Sequence, residues 1–321
     1  MKSDIRKAKK AIMAAKSIMI ASHISPDGDS IGSLLSLGLG LEYLNKRVYR
    51  VSADGLPRNF RLLPGAKKVV RSIDKSVDLA IAVDCGEKKL LGRTFETFKK
   101  AGHILEIDHH DIRTSFGDIS FVDTKAGAVG EMIFMLLKEL KIPLTKAIAE
   151  NIMTSIVVET NSFRLPKIRA FTFEVCSDLV KAGVNFYELA EMVYWTKSKE
   201  SFLLTNTALS RCTFLAKGRL VWSLLKQTDF DKINAMEEDA YAIAGELLLL
   251  KGVEIAIFFR EISNNRLQVS LRSRGKINIG VFAERNGGGG HFDVAGCTIP
   301  NKKSAIDRFI RGAKSLVKRA R

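Results

Sequence analysis

Three short stretches of the chain concentrate side chains able to hold divalent cations. His23-Ile24-Ser25-Pro26-Asp27-Gly28-Asp29-Ser30 offers an imidazole and two carboxylates around Pro26 and Gly28, which force a tight exposed turn. Ile107-Asp108-His109-His110-Asp111 sets four ionisable side chains in a row behind an apolar run, costly to leave unpaired in a fold. In Val83-Asp84-Cys85-Gly86 a carboxylate ends another apolar run, where alone it reads as a turn former. Imidazole mixed with carboxylate suits Mn or Zn better than Ca. Ordinary structural roles compete: Asp27 or Asp29 as a helix N-cap, and a surface loop for the histidine pair. Capping accounts for one carboxylate but leaves His23 unexplained, and of the five histidines in the chain, His23, His109 and His110 fall in these two motifs.

A fourth stretch, Gly287-Gly288-Gly289-Gly290-His291, is no Walker loop, because no Lys-Ser/Thr follows, and it lacks the strand-and-helix setting of a dinucleotide fingerprint. Four glycines let several backbone N–H groups approach an anion closely, or simply make a flexible loop.

The elements that must carry these residues alternate. Strands are predicted at Ser17 to Ser22, Val48 to Ser52, Leu79 to Val83 and His103 to Ile107. Helices are predicted at Ile31 to Asn45, Val129 to Leu140 and Thr145 to Val158, the last with Thr145 as N-cap. This is the pattern of a parallel sheet with helices on its faces, whose ligand crevice lies beyond the carboxyl ends of the strands. The His and Asp clusters at the ends of the first, third and fourth strands are therefore expected to converge. After about Asn185 the pattern turns helical, then restarts near Arg211. The segment Arg219 to Leu225, a helix from Glu237 to Lys251, and strands Val253 to Ile262 and Arg266 to Arg272 joined by Ser263-Asn264-Asn265 follow. Lys302 to Arg321 carries eight Lys or Arg against Asp307 alone, with Ile306, Phe309, Ile310, Leu316 and Val317 on one side: an amphipathic helix with a basic outer face.

The 321 residues, 46% apolar and 27% charged, fit two globular domains and exclude disordered, collagen-like and coiled-coil classes. No apolar run approaches the roughly 18 to 20 residues of a membrane helix. The basic N-terminus, broken by Lys16, argues against a cleavable signal, so a soluble cytoplasmic protein is expected. Cys85, Cys176, Cys212 and Cys297 show no metal-ligand spacing and read as free thiols. A net charge of +16 favours a phosphate-bearing partner, with a basic surface kept for solubility as the alternative.

Taken in order, HISPDGDSIGS, VDCG, DHH, ETNSFR and GGGGHFDVAG resemble the motifs of the DHH/DHHA1 phosphoesterases, in their oligoribonuclease and 3′-phosphoadenosine-5′-phosphate phosphatase branch. The resemblance spans nearly the whole chain. It implies an α/β fold: a doubly wound parallel-sheet DHH domain (1–186), a helical connector (187–210) and a smaller α/β DHHA1 domain (211–321). It implies two divalent metal ions, Mn expected, with His23, Asp27 and Asp84 holding one. Asp29, Asp84, His109 and Glu159 would hold the other, Asp84 bridging the pair, and such a pair acidifies a shared water for in-line attack on phosphorus. His110 would lie beside the nucleophile and scissile phosphate, and Asp108 orient the imidazoles. Arg272, Ser273, His291 and the backbone at Gly288, Gly289 and Gly290 would hold the substrate's phosphate or nucleotide end across an interdomain cleft. Arg164 would contact a phosphate or pair with a buried carboxylate.

Two departures stand out. Glu159 replaces the family's aspartate, one methylene longer, and Val294 replaces a small alanine. The activity implied is a metal-dependent phosphodiesterase, an exoribonuclease taking short single-stranded RNA or dinucleotides to mononucleotides, with adenosine bisphosphate as a further substrate. The expected partners are these nucleic acids and nucleotide phosphates, with no membrane, and a homodimer as the assembly considered. A cyclic-dinucleotide phosphodiesterase shares the metal chemistry. An inorganic pyrophosphatase is disfavoured by the glycine motif and the basicity. A non-catalytic single-stranded nucleic-acid-binding module is the alternative of a different class.

Overall fold

Side chains alternate between the two faces of a strand, so each strand's pattern of bulk decides what can cover it. A computed structural model describes residues 2–194, 197–263, 265–274, 277–290 and 292–319, with Lys2 and Arg319 as backbone only. The chain divides into two units, Met1–Thr196 and Lys197–Arg321. Among the described residues the first unit holds β1 (Ser17–Ala21), β2 (Arg47–Val51), β3 (Val69–Val70), β4 (Leu79–Val83), β5 (His103–Asp108) and β6 (Ile119–Val122), all parallel, in the order β3-β2-β1-β4-β5-β6. Its helices are α1 (Lys2–Ala14), α2 (Gly28–Tyr43), α3 (Phe95–Phe98), α4 (Val129–Glu139), α5 (Lys146–Glu159), α6 (Ala170–Lys181) and α7 (Phe186–Tyr194).

Ile18, Ile20, Leu79, Ile81, Val83, Leu105 and Ile107 point to one face and pack under α1, α2, α4 and α5. The alternate residues Met19, Ala21, Ala80 and Ala82 point to the other, where among the described residues they cluster with Leu91, Phe98 and the segments around them. Large residues thus meet a full helical layer and small ones a thin layer. The strand order reverses between β1 and β4, the crevice position where open α/β sheets bind ligands.

The predicted strands and helices of this unit appear with boundaries shifted by no more than three residues, Leu79–Val83 without any shift, and the Thr145 hydroxyl accepts the Ile148 N–H as the expected N-cap. No element was expected before Ser17. There α1 buries Ile5, Ala8 and Ile12 at helical spacing against the core, a face diluted in sequence by its lysines.

Close helix packing depends on glycine, as Gly32 and Gly130 show. A Cβ on Gly32 of α2 would lie 2.4 Å from the Asn151 carbonyl oxygen of α5, and one on Gly130 of α4 would lie 2.2 Å from Ser155 Oγ. Gly32→Ala is expected to cost about 1–3 kcal/mol by forcing α2 off α5, read as a fall of several degrees in Tm. An unchanged melting curve would show that the helices yield without cost.

The second unit forms a sheet in the order β11-β12-β10-β9-β8-β7 from β7 (Thr213–Leu215), β8 (Leu220–Leu225), β9 (Ile255–Ile262), β10 (Arg266–Ser273), β11 (Gly289–Gly290) and β12 (Val294–Pro300). Its strands are antiparallel except for the pair β8 and β9. Its helices are α8 (Lys199–Ser210), α9 (Gln227–Asp231), α10 (Ile243–Leu248), α11 (Ile279–Arg285) and α12 (Lys303–Arg319). One face packs on α11 and α12, the other on α8 and α10. The helix expected over Glu237 to Lys251 is broken. Glu237–Ala240 is a 3-10 turn whose Asp239 carboxylate accepts the Met236 N–H and the Ser198 hydroxyl, and the α-helix resumes at Ile243. The basic C-terminal helix appears as expected, burying Phe309, Ile310, Ala313 and Val317. Of the Ser263-Asn264-Asn265 turn, Asn264 lies outside the described residues.

Candidate metal centre

Three strand ends deliver the candidate ligands. His23 follows β1, Asp84 follows β4, and Asp108 and His109 close β5, so the parallel register brings them to one edge of the sheet. The N-terminus of α2 adds Asp27 and Asp29, and the last residue of α5 adds Glu159. The sequence-predicted convergence is therefore present.

Both imidazoles are oriented by the backbone. His23 Nδ1 sits 2.7 Å from its neighbour's carbonyl at Ile24, and His109 Nδ1 sits 3.0 Å from the Ala126 carbonyl. Such bonds fix the tautomer and direct Nε2 outward, the usual support of a metal-ligating histidine. His23 Nε2 then faces Asp27 Oδ1 at 3.8 Å and Asp84 Oδ2 at 3.6 Å. His109 Nε2 faces Asp29 Oδ2 and Asp84 Oδ1, each at 3.7 Å, and Glu159 Oε1 at 3.5 Å. These gaps are too long for hydrogen bonds and suit donors that share a cation. Donor atoms of His23, Asp27 and Asp84, of Asp29, His109 and Glu159, and of Asp84, His109 and His110 each lie within 4.8 Å of one another.

Asp84 joins these groups. Its residue is 3% exposed, its φ of 56° is left-handed, and its Oδ1 takes no hydrogen bond among the described residues. A strained backbone and a buried carboxylate oxygen lacking a donor are both unfavourable on their own. A cation between Asp84 and the imidazoles would satisfy that oxygen, and the donor set therefore fits divalent metal.

Asp29 is fully buried at the N-terminus of α4. Its carboxylate accepts Val129 N–H at 2.9 Å, Gly130 N–H at 3.3 Å and Ser155 Oγ–H at 2.5 Å. Burial and the charges of Asp84 and Asp27 nonetheless hold its carboxyl well above the usual range, against the lowering pull of Ser155 and Val129. For His23, burial favours the neutral ring, but Asp27 and Asp84 raise it well above its ordinary value. Raised values favour the protonated forms, and a cation must displace those protons. Mn2+ binding is expected to release protons and to tighten as pH rises. Calorimetric titrations in buffers of differing ionisation enthalpy read this directly, and proton-neutral binding would contradict it.

Asp27 caps its helix while facing the His23 cluster. Its Oδ1 accepts the Ser30 N–H as N-cap of α2 and also lies within the His23 cluster. Glu159 reaches the cluster despite its extra methylene. Asp108 is fully buried and accepts His110 Nδ1–H at 2.6 Å and His109 N–H at 2.9 Å. Burial alone would raise its carboxyl, yet His110 and His109 hold it at about 2. Burial would likewise lower His110, yet Asp108 and Asp84 bring it to about 9. Asp108 thus orients His110 through its side chain and reaches His109 only through the backbone, where orientation of both imidazoles was expected.

Among the described residues Arg164 pairs with no buried carboxylate. Its guanidinium donates to the Asn161 carbonyl and the Asn161 side-chain oxygen, both at 2.7 Å. Arg272, Ser273 and the glycine run belong to the second unit. Arg272 Nη1 donates to the Leu271 carbonyl, and Ser273 Oγ donates to the Ile277 carbonyl. Part of the glycine run is engaged within the fold itself. Gly287 N–H bonds to Glu284 O and Gly288 N–H to Ala283 O, ending α11 in a Schellman motif. Gly289 and Gly290 pair with β12, where a Cβ on Gly290 would meet the Ala295 backbone at 2.5 Å. His291 lies outside the described residues.

Sequence reasoning missed Ser155, Glu106, Arg113 and Lys167, whose Nζ lies 3.4 Å from the His109 carbonyl and 3.2 Å from Asp111. The spacing Glu106-x-Asp108 on a strand is the signal that was available, since it sets both carboxylates on one face.

The DHH family, N-terminal domain, matches residues 17–156, and the DHHA1 domain matches residues 224–319. The bifunctional oligoribonuclease and PAP phosphatase NrnA of Thermus thermophilus is 30% identical over 94% of this chain and 91% of its own. The protein of the same name from Bacillus subtilis is 26% identical over 94% and 95%. The crystal structure of an exopolyphosphatase-related protein from Bacteroides fragilis superposes with a TM-score of 0.89 at 23% identity, covering 99% of this chain and 96% of that one. Among the described residues no helix is long and apolar enough to cross a membrane.

Proposed function

Because the chain belongs to the DHH family, with a DHHA1 domain following its DHH domain, we propose that it hydrolyses short oligoribonucleotides to mononucleotides and dephosphorylates 3′-phosphoadenosine-5′-phosphate. It is a phosphoesterase hydrolase. The observation that carries the reading is Asp84, whose two oxygens face separate imidazole–carboxylate clusters. On this reading His23, Asp27 and Asp84 hold one ion and Asp29, Asp84, His109 and Glu159 the other, with manganese favoured by the mixed ligands. A divalent pair held by these residues would supply an acidified water and offset charge on the phosphoryl group.

The chain's own residues do the rest. Asp108 takes the Nδ1–H of His110, which sets the plane of the ring and lets its Nε2–H donate to a phosphoryl oxygen. Ser155 and the α4 N-terminus hold Asp29 in one rotamer, so the ligand shell needs little reorganisation on binding. Arg272 of the DHHA1 domain supplies charge for the nucleotide's phosphate, and the surplus of basic residues favours polyanions over neutral esters. The cytoplasm is the expected compartment, and a homodimer is the assembly to be tested.

The test is a substrate panel of a linear diribonucleotide, a longer single-stranded RNA, a cyclic dinucleotide, adenosine 3′,5′-bisphosphate and pyrophosphate, each with Mn, Mg or chelator. Chelator-sensitive turnover of the diribonucleotide and the bisphosphate is expected. Preference for the cyclic dinucleotide would move the assignment to cyclic-dinucleotide hydrolysis, and RNA binding without turnover under any metal would make the chain a binding module.

A further inference from the structure

We propose that Arg113, anchored by Glu106, is a positioning residue that sets the orientation of His110 through Asp108; as an account of catalysis this rests on the phosphoesterase reading above. Glu106 and Asp108 lie two residues apart on β5 and so share a face, the thinly covered one. Both carboxylates are buried, with side-chain exposures of 0% and 1%. Two adjacent buried anions demand cationic or hydrogen-bonded partners. Arg113 supplies one to each, donating from Nη2 to Glu106 Oε2 at 2.8 Å and from Nε to Asp108 Oδ2 at 3.3 Å.

The two oxygens of Asp108 have separate duties. Oδ1 takes His110 Nδ1–H and the N–H groups of His109 and His110, while Oδ2 takes Arg113. Removing Arg113 leaves Oδ2 without that donor, and the carboxylate is then free to rotate and carry Oδ1 out of line with the imidazole. Glu106 fixes Arg113 in turn. It also accepts Ser115 Oγ–H at 2.8 Å, Ser120 Oγ–H at 2.7 Å and Phe116 N–H at 2.8 Å, so the loop after His110 is tied back to its own strand. Thr114 N–H donates to the Gly86 carbonyl, joining that loop to the segment carrying Asp84. The guanidinium fork is what the position requires, because it alone reaches two carboxylates in a fixed plane.

The test compares wild type with Arg113→Gln and Arg113→Lys. Arg113→Gln is expected to lower kcat on the linear diribonucleotide roughly 10- to 100-fold, with KM and Mn2+ affinity near wild type. In the chelated protein, the downfield Nδ1–H resonance of the His110–Asp108 bond is expected in wild type and lost in the variant. Arg113→Lys keeps the charge beside Glu106 but cannot hold both carboxylates, so it should recover part of the rate. Should Arg113→Gln fail to fold, Arg113→Lys carries the test through the same resonance and the same split of kcat from KM. Wild-type kcat and an intact resonance in a folded variant would overturn the proposal. A wild type that turns over nothing, with the resonance still lost on substitution, would support the positioning and reject the phosphoesterase reading.

Discussion

Asp84→Asn is expected to lower kcat on a linear diribonucleotide by at least about 10³-fold with Mn2+ present, a loss of about 4 kcal/mol or more in transition-state stabilisation. The amide keeps the size of the side chain and removes its charge. Oδ2 of Asp84 lies 3.6 Å from His23 Nε2, and Oδ1 lies 3.7 Å from His109 Nε2. One substitution therefore weakens both clusters at once. The fold should survive. In the chelated protein the Asp84 charge repels Asp29 but favours protonated His23 and His110, so its removal relieves one unfavourable interaction and loses two favourable ones. The chelated variant should accordingly melt close to wild type, while the stabilisation that Mn2+ gives wild type should largely disappear. Turnover within tenfold of wild type would refute the joining role of Asp84.

How much of this was legible follows from what a one-dimensional pattern can encode. The apolar alternation of β1 and β4 and the ionisable residues just past their ends were enough to place His23 and Asp84 at the crevice, because a parallel sheet has only one carboxyl edge. Thr145 was legible as a cap because its partner is three residues away. Interactions between distant segments were not. Ser155 donates to Asp29 across 126 positions, and nothing in the α5 sequence distinguishes that serine from any other. Glu106 and Arg113 were missed for a related reason: a charged residue inside a strand reads as solvent-facing, whereas here a loop folds back to cover it. The glycine run is ambiguous in sequence. Glycine serves close backbone packing as readily as anion contact, and in the fold Gly287 and Gly288 end α11 while Gly289 and Gly290 pair with β12.

Glu159→Gln is expected to reduce kcat about 10²-fold, corresponding to about 2.7 kcal/mol, and to weaken Mn2+ binding at the cluster of Asp29 and His109. The more informative change is Glu159→Asp, which restores the residue expected from the family resemblance and should nonetheless lose activity to a similar degree. Glu159 ends α5, and its Oε1 is 3.5 Å from His109 Nε2. Shortening the side chain by one carbon–carbon bond, roughly 1.5 Å, opens that gap unless the helix end moves inward. Movement is opposed by the turn that follows. Asn161, Ser162 and Phe163 are all left-handed, with φ of 47°, 54° and 62°, a conformation costing roughly 1–2 kcal/mol per residue. Ser162 N–H to Val157 O at 2.8 Å, Thr160 Oγ–H to Ile156 O at 2.6 Å and the Arg164–Asn161 pair hold it in place. The turn and the longer carboxylate are thus matched. Adding Asn161→Gly to Glu159→Asp removes side-chain strain where the turn begins, lets the helix end adjust and should recover part of the lost rate. Wild-type turnover and Mn2+ affinity in Glu159→Asp alone would show that the helix end adjusts without help and that the extra methylene is immaterial.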